Sequence, residues 1–294
     1  MATDTATEVF EEHRPVLMGV AYRMLGRVAD AEDVVQEAWL RWSGGDRSDV
    51  RAPRAYLVRV TTRLAIDRLR QAQARNEAYV GPWLPEPYVT DFGDAVADTA
   101  ERAVLADSVS LAVLVVLETL SPLERAVFVL REAFGYPYAE IAATLDRSEP
   151  AVRQLAGRAR RHVEERRPRY EVDPAAQRAL TERFLAAATE GDIEGLMSVL
   201  APDVRLVGDS GGLAPAPVRV IESADKVGRF VEGVTRKGVA DPSYRFLEVN
   251  GGPALLVLSG GKPDSLVQLG VLDGRVQCVY IVRNPEKLRS LAAD

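Results

Sequence analysis

Apolar residues recur at helical spacing through residues 8–167 and give way to alternating apolar and polar positions in the rest of the chain. In "DAEDVVQEAWLRW", Ala31, Val34, Ala38 and Trp42 fall on one stripe, which predicts an amphipathic helix. "APRAYLVRVTTRLAIDRLRQAQAR" predicts a longer helix that opens near Pro53. The pattern therefore predicts helices on both sides of the loop from Ser43 to Pro53.

Residues 121–164 predict a helix-turn-helix. "LSPLERAVFVLREAF" begins with Ser121 as N-cap, Pro122 at the first helical position and Glu124 at the third. The short helix "YAEIAATL", the turn "DRS" and an arginine-rich helix capped by Ser148 follow. Two short helices joined by a tight turn, with arginines on the second, are typical of DNA-binding modules.

The C-terminal part predicts an α+β domain. "PAAQRALTERFLAAATEGDIEGLMSVLA" reads as two helices, and one more helix is expected from about Ala224 to Thr235. Runs of helices followed by runs of strands favour an antiparallel sheet. The predicted strands are "VRLVGD", "VRVIE", "YRFLEV", "ALLVLS", "SLVQLGVLD" and "RVQCVYIV".

Between residues 76 and 98 the helical periodicity fails. "GPWLPEPYV", from Gly81 to Val89, combines three prolines with Trp83 and Leu84. The prolines favour an extended chain, and a solvated linker has no need of so much apolar surface. We therefore expect this stretch to pack against the C-terminal domain, near Asp209 or Asn284, and to fix the two helical domains relative to each other.

Charge is distributed unevenly, although the composition is that of a soluble globular protein and the net charge is −6. Residues 44–75 hold 8 Arg against 3 Asp, and residues 147–169 hold 8 Arg against 3 Glu. Residues 76–108 carry one basic and seven acidic groups. Two basic patches flank an acidic connector, a distribution compatible with nucleic-acid binding. With no apolar run of ~20 residues, we expect no membrane span.

The residue inventory argues against a cofactor, a metal site or a catalytic centre. Cys278 is the single cysteine, which excludes an internal disulfide and suits the cytoplasm. His13 and His162 are too far apart to suggest a zinc site. The C-terminal domain has no histidine, and Asp209 lies in a Gly-rich stretch where an Asx-turn explains it. We therefore expect no enzyme.

The N-terminal half resembles the extracytoplasmic-function class of bacterial sigma factors. The resemblance rests on "AYRMLGRVADAEDVVQEAWLRW", "RAPRAYLVRVTTRLAIDRLR" and "LSPLERAVFVLREAFGYPYAEIAATLDRSEPAVRQLAGRARR". It implies a sigma-2 domain at 1–75, an acidic linker at 76–104 and a sigma-4 domain at 105–167. It also implies RNA polymerase core, through its beta-prime and beta subunits, and promoter DNA as partners.

The resemblance assigns a role to each face, and a solvated helical face remains the alternative in each case. The docking face for polymerase would comprise Asp30, Asp33, Val34, Gln36 and Glu37. Contacts to the −10 element would come from Arg59, Thr62, Arg63 and Arg70. Contacts to the −35 element would come from Ser148, Glu149, Arg153, Gln154, Arg158 and Arg161, where Arg and Gln can pair with base edges.

Residues 168–294 resemble the SnoaL-like, NTF2-like family, a cone-shaped α+β fold with a curved sheet. Sigma factors with this extension share a "WLPEP" motif, which is present here, an Asp-Gly-Gly-Gly-Lys-like stretch and an Asn-Pro-Asp-Lys-Leu-like end. The resemblance implies a regulator acting in cis by packing on the sigma domains, without a separate anti-sigma protein. The residues involved would be Trp83, Leu84, Pro85, Glu86, Pro87, Asp209, Gly211, Gly212, Asn284, Pro285 and Lys287. The second motif departs from the pattern at Ser210 and Leu213.

Three alternatives stay open. The C-terminal domain could bind a small-molecule ligand in its pocket, or act as a metabolite-converting enzyme with a DNA-targeting module. The chain could also be a conventional helix-turn-helix repressor that needs no polymerase.

Overall fold

The computed structural model describes residues 2–45, 50–76, 79–91, 110–166 and 174–291. The chain divides into two compact units, one formed by Met1–Glu77 with Val96–Arg167 and the other by Ala78–Ala95 with Pro168–Asp294. The linker between the two helical segments in sequence therefore belongs to the unit that contains the C-terminal domain.

The first unit begins with three helices that form the first helical domain. They are α1 (Ala2–Leu25), α2 (Val28–Gly44) and α3 (Pro53–Asn76). The stripe predicted on α2 is buried at all four of its positions, because it packs with α1 and α3. Helix α2 continues through Gly44, so the first two residues of the predicted loop, Ser43 and Gly44, are helical.

The second helical domain carries the predicted helix-turn-helix. Its elements are α4 (Leu111–Leu117), α5 (Pro122–Phe128), a π-helical turn (Val129–Ala133), α6 (Tyr138–Leu145) and α7 (Glu149–Arg166). The Ser121–Glu124 capping box is present at the start of α5. Asp146 ends α6 in the left-handed conformation, with φ of 55°. The helix predicted to resume near Asp98 lies outside the described residues as far as residue 109.

The described residues of the second unit form three α-helices and a seven-stranded sheet. The helices are α8 (Pro174–Glu190), α9 (Ile193–Val199) and α10 (Ala224–Lys237), with a 3-10 turn at Arg289–Leu291. The strands are β1 (Val89–Asp91), β2 (Leu200–Asp209), β3 (Ile221–Glu222), β4 (Pro242–Val249), β5 (Gly252–Ser259), β6 (Lys262–Leu272) and β7 (Arg275–Val282).

The strand order is β1-β4-β5-β6-β7-β2-β3. Every neighbouring pair is antiparallel except β2 and β7, which are parallel, so the expectation of an antiparallel sheet needs that correction. The predicted strand "VRVIE" is reduced to the two residues of β3. The linker supplies the edge strand β1, which the sequence did not predict.

One apolar core lies between the helices and the sheet of the second unit. It joins Phe184, Leu196 and Val227 from the three helices to Leu206 and Val279 from the sheet. These buried side chains anchor β2 and β7, and the two strands hold Asp209 and the chain after Val282 side by side. None of the helices in the described ranges is long and apolar enough to cross a membrane.

Candidate functional sites

The described part of the linker lies on the C-terminal domain, as its apolar sequence predicts. Leu84, Pro85, Glu86 and Pro87 are buried, and Trp83 is half-buried. Prolines fix an extended backbone at low entropic cost, so the segment presents its N–H and carbonyl groups to fixed partners. The contacts of this segment fall into two groups, one at each of its ends.

The first group centres on the Asp209 carboxylate, which lies at the end of β2. The Tyr79 hydroxyl donates a hydrogen bond of 2.5 Å to Oδ1, and the Leu84 backbone N–H donates one of 2.7 Å to Oδ2. Lys287 Nζ lies 2.6 Å from the same Oδ2. Both carboxylate oxygens are therefore engaged by groups that lie far from Asp209 in the sequence.

Lys287 makes this cluster electrically neutral and ties it to the linker. Its ammonium group also donates a 2.5 Å hydrogen bond to the Leu84 carbonyl oxygen. It lies 3.9 Å from the ring centroid of Trp83 and 5.3 Å from that of Tyr79. A buried ammonium needs a counter-charge and hydrogen-bond acceptors, and Asp209, Leu84 and the two rings supply them. We call Tyr79, Leu84, Asp209 and Lys287 the linker clamp.

Two flanking turns shape the clamp. Asn284 Nδ2 donates a 2.9 Å hydrogen bond to the Tyr79 hydroxyl, and its Oδ1 accepts one from the Glu286 N–H. Gly211 has a φ of 58°, and a Cβ there would lie 2.8 Å from Asn284 Nδ2. Gly212 has a φ of 77° and approaches Val80. Both glycines are thus required by backbone conformation and by the closeness of the linker.

Of the other predicted regulatory residues, Pro285 is exposed beside the buried Asn284. Leu213, where the family pattern has lysine, is also exposed. The lysine that pairs with Asp209 is Lys287, from the C-terminal motif.

The second group of contacts holds the other end of the linker against the β4–β5 hairpin. The Tyr88 N–H donates to Asn250 Oδ1 at 3.2 Å, and the Asn250 N–H donates to the Tyr88 carbonyl at 2.9 Å. Asn250 and Gly251 both have positive φ, as a tight Asn-Gly hairpin turn requires. Sequence reasoning missed Tyr79, Tyr88 and Asn250. The Asn-Gly pair predicts the turn, but it does not predict that the turn binds Tyr88 of the linker.

The geometry at Asp209 suits the binding of a peptide rather than proton transfer. A general base needs a free carboxylate oxygen next to substrate, whereas both oxygens of Asp209 are bonded within the clamp. Burial raises the pKa of Cys278, which lies opposite Arg205 in the sheet, to about 11, so its thiol stays protonated at neutral pH. Within the described ranges, no His, Cys, Asp and Glu side chains cluster to hold a metal ion.

Helix α2 presents the predicted polymerase-docking face. Asp33 and Gln36 are exposed, but Val34 is buried in the helical core, so its prediction as a surface contact is wrong. Arg68 Nη2 lies 2.5 Å from Asp33 Oδ2 and 3.8 Å from Asp30 Oδ1, and Arg41 pairs with Glu37 at 2.7 Å.

The sequence pattern missed an exposed leucine on this face. Leu40 is 61% exposed and lies seven residues after Asp33, on the same side of α2. We call the residues on this side of α2 the docking stripe: Asp30, which is half-buried, and the exposed Asp33, Gln36, Glu37 and Leu40.

Of the predicted −10 residues, Arg59, Arg63 and Arg70 are exposed on α3, whereas Thr62 is buried. Thr62 is 0% exposed, and Arg63 Nε donates a 2.9 Å hydrogen bond to the Thr144 carbonyl of α6. Arg59 lines a cleft between α3 and α6, together with Val58 and Tyr136 among others. Arg70, near the end of α3, is exposed and pairs with Asp67 at 3.3 Å.

Helix α7 exposes its predicted −35 residues. Arg153 pairs with Glu149 at 2.5 Å and lies 4.5 Å from the ring centroid of Tyr138. Arg158 pairs with Glu124 at 3.3 Å, and Ser148, Gln154 and Arg161 are exposed. Val152, Ala156 and Ala159 are buried on the opposite side of α7, so the arginines lie on its exposed face.

Comparison with known proteins gives matches over both units. Residues 9–75 match the family described as Sigma-70 region 2, and residues 110–163 match Sigma-70, region 4. The chain is 42% identical over 291 residues to "ECF RNA polymerase sigma factor SigJ" of Mycobacterium tuberculosis, covering 95% of this chain and 91% of that protein. It is 34% identical over 297 residues to "Probable ECF RNA polymerase sigma factor SigI" of the same species, covering 99% and 97%.

A crystal structure of Mycobacterium tuberculosis SigJ shares the fold over nearly the whole chain. It superposes with a TM-score of 0.78 at 39% sequence identity, covering 96% of this chain and 98% of that one. The similarity therefore extends through the C-terminal domain and is not confined to the two helical domains.

Proposed function

Because the chain belongs to the extracytoplasmic-function (ECF) family of RNA polymerase sigma factors, we propose that it binds core polymerase and directs initiation at specific promoters, under control of its own C-terminal domain. In this proposal the docking stripe on α2 binds a basic surface of the beta-prime subunit. Helix α3 contacts the −10 element and α7 reads the −35 element. The beta subunit is the second polymerase contact.

The linker clamp is the observation that carries the regulatory part. A linker that joins two DNA-binding domains is held at one end by Asp209 and Lys287, and at the other by Asn250. Its position therefore depends on whether the C-terminal domain is folded and closed around it. The C-terminal domain can thereby set how far apart the two helical domains move, with no separate anti-sigma protein.

The polymerase contact is tested by co-purification with core RNA polymerase. We expect Asp33→Lys with Glu37→Lys to abolish retention, because the replaced side chains would repel a basic partner. Glu32→Lys controls for charge reversal itself, since it replaces one exposed acidic residue of α2 that lies off the docking stripe. Failure of the unmodified chain to co-elute with core polymerase would overturn the proposed function.

The regulatory part is tested by transcription from fragmented genomic DNA, with transcript 5′ ends read by sequencing, so that no promoter has to be known beforehand. The full chain is compared with a truncation after Arg167, a truncation after Val282 and the variant Lys287→Met. We expect the last three to change transcript yield in the same direction, because each releases the linker. Equal yields from all four would overturn control in cis.

An enzymatic role is disfavoured because both carboxylate oxygens of Asp209 accept hydrogen bonds within the linker clamp. A repressor role differs from the proposed function because it predicts sequence-specific DNA binding without polymerase. Apolar side chains of α8, α9 and α10 fill the space against the sheet, which favours a structural role for this face over a ligand site. Mass spectrometry of the purified native protein checks for a bound small molecule. A stoichiometric ligand would reopen that alternative.

A further inference from the structure

Arg153, on the exposed side of α7, is held by two neighbouring side chains. Its Nε and Nη2 donate hydrogen bonds of 3.2 Å and 2.5 Å to Glu149 Oε1, one helical turn earlier. Its Cζ lies 4.5 Å from the ring centroid of Tyr138, the first residue of α6. A carboxylate partner and a ring face together fix the orientation of a guanidinium group. We call Tyr138, Glu149 and Arg153 the arginine frame.

The Tyr138 ring is itself fixed by its surroundings. It is half-buried, and the preceding Pro137 holds the backbone at the start of α6 with a φ of −61°. Arg131, from the π-helical turn, lies 4.7 Å from the same ring centroid, and its Nη1 donates a 3.1 Å hydrogen bond to the Tyr136 carbonyl. Single π-helical turns are frequent at functional sites. The ring therefore gives Arg153 a stationary surface.

The bonds to Glu149 occupy only one edge of the Arg153 guanidinium group. An arginine carries five N–H donors in a planar fork. Nε and the neighbouring hydrogen of Nη2 form its side edge, which faces Glu149. Nη1 and the second hydrogen of Nη2 form its end edge, which makes no hydrogen bond to any residue in the described ranges. The side chain is 59% exposed, so this edge is open to a partner.

Two parallel N–H donors on a rigid edge match guanine among the four bases. In the major groove guanine presents two acceptors, O6 and N7. Adenine presents one acceptor and one donor, cytosine presents a donor, and thymine presents one acceptor beside a methyl group. The end edge of a fixed arginine can therefore make both of its hydrogen bonds only to guanine.

The other exposed polar residues of α7 are held less firmly. Gln154 has no hydrogen bond within the described ranges, and Arg161 bonds only to a carbonyl of its own helix at 3.4 Å. Arg158 has one ion-pair partner, Glu124, at 3.3 Å. Ordering a free side chain on binding costs about two- to tenfold in affinity. Arg153 is already ordered, so we expect it to give the sharpest base preference on α7.

We propose that the arginine frame reads one guanine of the −35 element, with Arg153 as the base contact and Tyr138 and Glu149 as positioning residues. This inference rests on the proposed function for the role of α7. It changes the role of Glu149, which the sequence assigned to a DNA contact. It also adds Tyr138, which is not among the expected −35 residues.

The experiment selects bound sequences from a pool of random duplex DNA at one fixed salt concentration. The full chain is used alone and in complex with core RNA polymerase, and the bound DNA is sequenced. The variants are Arg153→Lys, which keeps the charge but loses the fork, Glu149→Ala, Tyr138→Leu and Tyr138→Phe. Arg147→Lys is the matched control, since it makes the same change at an exposed arginine in the turn before α7.

We expect Arg153→Lys to lower the preference for guanine at one position by roughly 5- to 100-fold and to leave the other positions unchanged. Glu149→Ala and Tyr138→Leu should lower the same preference by about two- to tenfold. Tyr138→Phe should retain it, because the ring is kept. A merely structural role of Tyr138 would weaken binding at all positions alike. Arg147→Lys should leave the whole pattern unchanged.

A selected site without a guanine whose preference depends on Arg153 would overturn the proposal. A Glu149→Ala effect confined to another base pair would overturn its role as a positioning residue. Both side chains are exposed, so their variants decide the proposal even if circular dichroism shows that Tyr138→Leu does not fold.

The two arms of the selection separate this inference from the proposed function. Failure of the chain to bind core polymerase would overturn the proposed function, whereas the pool selected by the chain alone would still decide the arginine frame. Enrichment of no sequence in either pool would overturn the frame as well.

Discussion

Lys287 and Asp209 form an ion pair, with Nζ 2.6 Å from Oδ2, in which the side chains are 2% and 0% exposed. The pair lies beneath the linker, and Leu84 bonds to both partners through its N–H and its carbonyl. Removing one member of such a pair strands the other charge, whereas removing both charges costs far less.

Lys287→Met should destabilise the second unit by about 3–5 kcal/mol, because Asp209 would remain buried without its counter-ion. The double variant Asp209→Asn with Lys287→Met should recover part of this loss. Urea unfolding of the full chain, with hydrogen exchange at β7 as the local readout, measures both effects.

Lys262→Met makes the same change at an exposed position and should alter stability by less than about 0.5 kcal/mol. A loss as large as that of Lys287→Met would mean that the effect comes from lysine removal in general and not from the clamp.

Leu84→Ala should free the linker, because truncating this fully buried side chain lowers the free energy of unfolding by about 2–5 kcal/mol. Limited proteolysis within residues 79–91 reports the release. Val80→Ala, in the same segment but 51% exposed, is the matched control and should leave the cleavage rate unchanged. If the unmodified chain, Leu84→Ala and Val80→Ala were all cleaved at the same rate, that result would contradict the clamp.

Gly211→Ala should cost about 1–3 kcal/mol, because alanine is strained at a φ of 58° and its Cβ would press on Asn284 and Tyr79. Gly233→Ala, in α10 where nothing lies within 4 Å, should be neutral or stabilising. Thermal unfolding of the two variants gives the comparison, and an equal Tm shift in both would rule out the steric cause.

Leu40→Ala should weaken binding to core polymerase without lowering stability. The side chain is largely exposed, so its loss opens no cavity, whereas an apolar contact at an interface contributes about 1–2 kcal/mol. Titration of labelled chain with core polymerase measures the affinity. An unchanged Kd would remove Leu40 from the docking stripe.

Cys278 should react with a disulfide reagent at pH 8 roughly 100-fold more slowly in the folded chain than in denaturant, because its pKa rises from 9.0 to about 11 and burial adds to the protection. Because the pKa of Cys278 is higher in the folded state, the protonated thiol gives its full contribution to stability below pH 9. That contribution is lost as pH rises towards 11. Cys278→Ser should flatten this part of the stability profile, and an unaltered profile would contradict the shift.

Local patterns predicted the helices and most strands well. The apolar stripe on α2 and the capping box at Ser121 are where the sequence indicates, and β7 has the limits of "RVQCVYIV". These features depend on residues close together in sequence, so periodicity and cap chemistry are sufficient to find them.

The features that sequence reasoning missed depend on distant partners. Alternation shows that β2 is a strand but cannot show that it lies parallel to β7. Thr62 was predicted on an outer basic face but is fully buried, and the bond from Arg63 to the Thr144 carbonyl joins residues 81 positions apart. The clamp lysine was named as part of a motif, yet its pairing with Asp209 spans 78 residues and leaves no local signal.

The linker also imposes an order on synthesis. Leu84 and Lys287 are separated by 203 residues, so at ~5–20 residues per second the ribosome needs roughly 10–40 s to deliver the lysine after the leucine. Both helical domains are complete before then. In each new molecule the two helical domains are therefore synthesised while the linker is still unclamped, and the clamp can form only after Lys287 has been added to the chain.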